Sequence, residues 1–133
     1  VEEKKPETVG ELISVLKEIP EYKEAMKIGV GPKIFVGGPE NRCGKIAVDM
    51  TGGTEGHEKS YEALAKAGVG TVVAMHVGKE MRKIAEENKV NLVIAGHIAS
   101  DNLGLNLLFD KLEKKQRFEF IECSGFNRVR RNK

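Results

Sequence analysis

At 133 residues the chain is long enough for one domain with a sizeable core and too short for two of ordinary size. Its 40% hydrophobic and 32% charged residues describe a globular protein, and no apolar run approaches the roughly 20 residues of a membrane span, which excludes a helical membrane protein. The 22 basic and 20 acidic residues leave a net charge of +2, too little for a general polyanion-binding field, so nucleic acid is not an expected partner.

Val1 to Glu7 is charged and proline-bearing, and is expected to fray. Thr8-Val9-Gly10-Glu11 is a capping box that opens a helix with Val9, Leu12, Ile13, Leu16 and Ile19 on its apolar face and Pro20 as its end. A short helix from about Glu21 to Lys27 stops at Gly29, and Gly31-Pro32 turns the chain into a small strand, Lys33 to Val36. After the loop at 37–42, residues 45–50 read as a strand that could pair antiparallel with 33–36. A strand-helix unit then repeats: strand 45–50 and a helix with Tyr61, Leu64 and Ala65 inward; strand 70–75 and a helix with Met81, Ile84 and Ala85 inward; strand 90–95 and helix 101–115. In the last helix Leu105, Leu108, Phe109 and Leu112 form the apolar pattern. Alternation over residues 117–122 reads as an edge strand, and the tail from Arg128 to Lys133 reads as solvated basic residues. The expectation is an α/β fold in three layers: a mainly parallel sheet with helices on both faces, preceded by an N-terminal helical segment. Residues 1–30 form that segment and 31–133 the α/β domain.

Parallel strands bring their carboxyl ends to one edge, the edge where open α/β sheets bind ligands. His57, His76 and His97 all follow strand ends. An acid comes four residues after two of them, as Glu80 after His76 and Asp101 after His97, a spacing at which a helical turn aims both side chains one way. Imidazole with carboxylate suits a divalent metal. The plainer readings are that Asp101 is an N-cap, that a loop histidine is hydrogen-bonded structure, and that His57 is a surface residue heading a helix. Thr51, Gly52 and Gly53 begin a loop through Gly56 that could offer N–H groups to an anion or nucleotide, but it matches neither a Walker A motif nor GxGxxG; a tight strand-to-helix turn is the plainer reading. Cys43 and Cys123 show no metal or disulfide spacing and no base partner, which fits a reducing, cytoplasmic setting.

The segments Gly31-Pro32-Lys33-Ile34-Phe35-Val36-Gly37, Val48-Asp49-Met50-Thr51-Gly52-Gly53-Thr54, Ala67-Gly68-Val69-Gly70-Thr71, Met75-His76 and Ile94 through Gly104 together resemble the C-terminal half of the Nif-three-like dinuclear metal centre family. That resemblance implies an α/β protein of two related halves, assembled as a toroidal hexamer around metal pairs and sometimes labelled a second-type GTP cyclohydrolase. The family's Gly-His-x-x-x-Glu motif appears as Gly96-His97-Ile98-Ala99-Ser100-Asp101, so His97 and Asp101 are the implied metal ligands, with Asp101 standing for the glutamate. The family's His-His-Pro motif, which completes the metal pair, has no counterpart here, and with the start at Val1 this makes a fragment the expectation.

The functional expectation is therefore a divalent-metal-binding (Zn, Fe or Mn) domain of a metal-dependent hydrolase of nucleotide or phosphoester class, its small-molecule substrate unknown. His76 and Glu80 would move protons in it, and Asp49 stands in reserve as a ligand. The rivals are a non-enzymatic assembly or regulatory module and an anion-binding module at Thr51 to Gly56.

Overall fold

A computed structural model describes residues 4–51 and 59–131. Helix α1 (Val9–Lys17) starts on the expected capping box: the Thr8 hydroxyl accepts from the Glu11 N–H, and the Glu11 carboxylate reaches back to the Thr8 N–H. α2 (Pro20–Lys27) takes Pro20 in its first turn, where a missing N–H costs no helical hydrogen bond. Then follow β1 (Lys33–Val36), β2 (Lys45–Asp49), α3 (Lys59–Lys66), β3 (Val69–Ala74), α4 (Lys79–Glu87), β4 (Asn91–Ile94) and α5 (His97–Leu112).

The strands form one sheet in the order β1-β4-β3-β2. β2, β3 and β4 run parallel, and β1 lies antiparallel on the far side of β4. The expected pairing of β1 with β2 is thus corrected: the two strands are the opposite edges of the sheet. Central strands β3 and β4 are apolar on both sides because both faces are covered. Val73 and Val93 meet Val9, Leu12 and Leu16 of α1, Tyr22 and Ala25 of α2 and Ala99 of α5; Val72, Ala74 and Leu92 meet Tyr61 of α3 and Met81 and Ala85 of α4. This is the three-layer α/β arrangement read from the sequence, with the helices near the amino terminus packed into the first core.

Three further expectations are corrected. Residues 117–122 pair with no strand among the described residues; Phe120 instead packs edge-on against Phe109, 4.8 Å between ring centres. α5 begins at His97, four residues before the expected start, so Gly96 is its N-cap and Asp101 lies inside the helix. The buried face of α5 is Ala99, Ser100, Asn106 and Asp110, while Leu105, Leu107 and Leu108 are exposed. Polar residues are buried there because the chain returns over them. Arg128, its side chain only 3% exposed, donates to Asp110 at 2.6 Å and to Glu113 at 2.6 Å. Asn106 donates to Glu21 at 2.9 Å and to the Asn127 carbonyl at 3.0 Å, and Arg131 pairs with Glu21. The basic tail is therefore a clamp across α2 and α5, not a solvated end, because buried carboxylates need counter-charges.

Candidate functional site

Strands β2, β3 and β4 end on one edge of the sheet, and polar side chains gather beyond it. β4 passes into α5 through Gly96, whose φ of 107° is a conformation that side chains rarely adopt; a Cβ there would stand 3.2 Å from the Val30 carbonyl oxygen. That turn makes His97 the first residue of the helix. Asp101 follows one turn later on the same side, its Oδ2 at 3.5 Å from His97 Nε2, with the two side chains 46% and 55% exposed.

His76, in the segment after β3, lays its ring against that of His97, with centres 4.9 Å apart and planes inclined by 6°. Among the described residues its Nδ1 is buried without a hydrogen-bond partner, an unusual state for a polar nitrogen inside a protein. The first turn of α5 is held from below by a hydrogen-bond chain: Ser100 Oγ lies 3.0 Å from the Tyr22 hydroxyl and donates to the Gly96 carbonyl at 2.6 Å. Burial pushes the Tyr22 phenol above its ordinary pKa; the Ser100 hydrogen bond opposes this and the Glu21 charge adds to it.

The other expected residues do not converge on this pair. Glu80 is exposed in the first turn of α4. Thr51 is exposed and donates both its N–H (3.1 Å) and its hydroxyl (2.6 Å) to Asp49 Oδ1, so its donors close a turn within the chain. Gly52, Gly53 and His57 lie outside the described residues. Among the described residues no three His, Cys, Asp or Glu side chains stand close enough to hold a metal ion by themselves.

Neither family models nor curated proteins give a match to the chain. Solved structures do. A NIF3 superfamily protein from Sphaerobacter thermophilus is 31% identical and superposes over 81% of this chain with a TM-score of 0.66. This is a Nif3-like domain. Its fold is also that of a Bacillus cereus protein related to NIF3 (19% identity, 86% of this chain and 33% of that one, TM-score 0.53) and of a Staphylococcus aureus protein (18% identity, 92% of this chain and 38% of that one, TM-score 0.53). The Nif3-like domain spans 38% of the Sphaerobacter chain.

Sequence reasoning missed a cavity of about 520 Å³ in the Nif3-like domain, beside the histidine pair. Ile28 and Val30 line one side, His97, Ile98 and Asn102 another, and Asn127 of the returning tail a third. No local motif announces it, since its walls come from three distant segments. A signal for the clamp that seats the tail was present, however: acids at 21, 110 and 113 and arginines at 128, 130 and 131 are complementary sets.

Proposed function

We propose that this Nif3-like domain contributes His97 and Asp101 to a divalent-metal site of a hydrolase, with the remaining ligands supplied from outside these residues. The observation that carries the reading is the His97–Asp101 pair on one helical face at the ligand-binding edge of the sheet, against a His76 nitrogen that has no partner among the described residues. The donor types fit zinc, iron or manganese, which accept imidazole nitrogen and carboxylate oxygen, and they fit as a partial set, since stable zinc sites use three or four protein ligands. Near-parallel stacking puts the in-plane lone pairs of His76 and His97 in separate planes. In this orientation the two rings do not converge on one ion, which leaves His76 to act as a base beside the site.

When bound, the metal supplies an acidified water and a polarised scissile bond. His97 and Asp101 would hold it at the helix start, a turn positioned by Gly96 and the Tyr22–Ser100 chain. His76, stacked beside His97, would take a proton from that water, and Glu80, exposed at the start of α4 and apart from this pair, would exchange protons with solvent.

Calorimetric titration of the 133-residue chain with Zn²⁺ or Mn²⁺ tests this. Weak saturable binding is expected, reduced at least tenfold in a His97→Ala, Asp101→Ala double variant and retained in Asp101→Glu. The metal-free variants should melt near the wild-type temperature, because both side chains are largely exposed. Binding that is unchanged in the double variant would show that other residues hold the ion.

A second reading, an assembly module, is favoured by one observation: Ile98, Leu105 and Leu108 share a helical face of α5 and are exposed. Self-association through that face, the oligomer implied by the family resemblance, would appear in sedimentation velocity and vanish in Leu105→Glu, Leu108→Glu.

A further inference from the structure

The cavity beside His97 supplies no further ligand to the proposed metal site, yet it shares that residue with it. Its volume of about 520 Å³ lies within the roughly 300–1,000 Å³ in which proteins enclose small molecules. Its chemistry is specific in two respects. The walls are mainly apolar, with Ala25, Ile28 and Val30 facing Ile98 and Ala99. The charged groups on its border are already neutralised within the chain: Lys27 Nζ is held by both Glu24 oxygens at 2.7 and 2.9 Å, and Glu21 is matched by Arg131 and Asn106.

No uncompensated cation therefore faces the cavity among its lining residues, and two carboxylates border it. A phosphate group carrying up to two negative charges would have to approach those carboxylates and break an existing ion pair. A neutral oxygen acceptor has no such difficulty. Gly96, His97, Ile98 and Ala99 at the start of the 16-residue α5 line the cavity, and among the described residues no side chain caps that helix, which leaves its first-turn N–H groups as donors for a ligand. A carbonyl oxygen can accept from them while an apolar group lies between Ile28, Val30 and Ile98.

We propose that the cavity binds a neutral, largely apolar molecule through a carbonyl group of amide or ester type, and does not bind a phosphoester. Resting on the proposed metal site at His97, this assigns the substrate of that site to the carbonyl class, in place of the nucleotide or phosphoester class expected from sequence.

The test uses the complete 133-residue chain without metal, so it is independent of whether the metal reading survives. ¹⁵N-labelled protein is titrated with N-benzylacetamide and, separately, with phenyl phosphate, which share a ring and differ in the polar group. Saturable shifts are expected from the amide at Ile28, Val30, Ile98 and Ala99, with phenyl phosphate at least tenfold weaker at the same residues. Ile98→Asp and Ile28→Asp, each at an exposed side chain that leaves the core intact, should each weaken the amide at least fivefold. Phenyl phosphate binding as tightly as the amide, shifts mapping elsewhere, amide binding unchanged in both variants, or no saturation by the amide would each overturn the proposal. A failed metal titration with successful amide binding would discard the metal site and leave the cavity assignment standing.

Discussion

Replacing Arg128 by methionine keeps most of the apolar stem and removes the guanidinium that closes the tail onto α5. The wild-type guanidinium faces Asp110, whose side chain is 8% exposed, and Glu113, both at 2.6 Å, and it lies over the Phe120 ring at 5.0 Å from its centre. Without it Asp110 loses the guanidinium held at 2.6 Å, while contacts such as that from the Arg131 N–H at 3.3 Å remain. Removing one member of a buried ion pair costs about 3–5 kcal/mol, because the other charge stays buried without its partner. The tail can peel back and readmit water to Asp110, so the lower end applies: about 3 kcal/mol, or roughly 10 °C in melting temperature for a domain of this size. Urea unfolding at pH 7 followed by circular dichroism measures it. A double variant, Arg128→Met with Asp110→Leu, removes both charges and should lie within about 1 kcal/mol of wild type. A loss below about 1 kcal/mol for the single variant, or a double variant as unstable as the sum of the singles, would refute the clamp.

Two further outcomes follow from the same geometry. Burial works to raise the Asp110 carboxyl, but hydrogen bonds from Arg128 and the Arg131 N–H, with both guanidinium charges, outweigh it and hold the group below the usual range. A lowered folded pKa means the contribution is fully present above the unfolded value of about 3.9 and lost as pH falls through the folded one, so the stability gap between wild type and Arg128→Met should narrow below roughly pH 4. A gap that stays constant from pH 7 to pH 3 in urea midpoints would show that Asp110 is not the carboxylate through which Arg128 acts. Gly96→Ala should cost about 2–3 kcal/mol, because alanine is strained at a φ of 107° and its Cβ would press on the Val30 carbonyl; a loss under about 1 kcal/mol by the same unfolding assay would mean the turn before His97 is freer than its conformation implies.

Much of the scaffold was legible because it is written in local patterns. The Thr8–Glu11 capping box needs only four consecutive residues to specify where α1 begins, and Pro20 fixes the break before α2. The apolar runs around Val72 and Leu92 marked strands covered on both faces, and their parallel order was enough to put His76 and His97 beyond the same edge. The i,i+4 spacing of His97 and Asp101 likewise anticipates a shared helical side. The stacking of the two imidazoles and the unpartnered His76 nitrogen depend on how β3 and β4 sit side by side, which no single segment encodes.

What only the tertiary structure decided concerns contacts between segments far apart in the chain. Local periodicity made Leu105 and Leu108 the inward face of α5 and residues 117–122 a strand; the fold turned both leucines outward and left 117–122 unpaired. The reason is energetic. Asn106 and Asp110 are tolerated inside because Arg128, Val129 and Arg131 come back to bond them, and Glu21 on α2 joins the same network. A sequence pattern reports the polarity of each residue, whereas the cost of burying a polar group is set by the partner it finds, and that partner lies about twenty positions away.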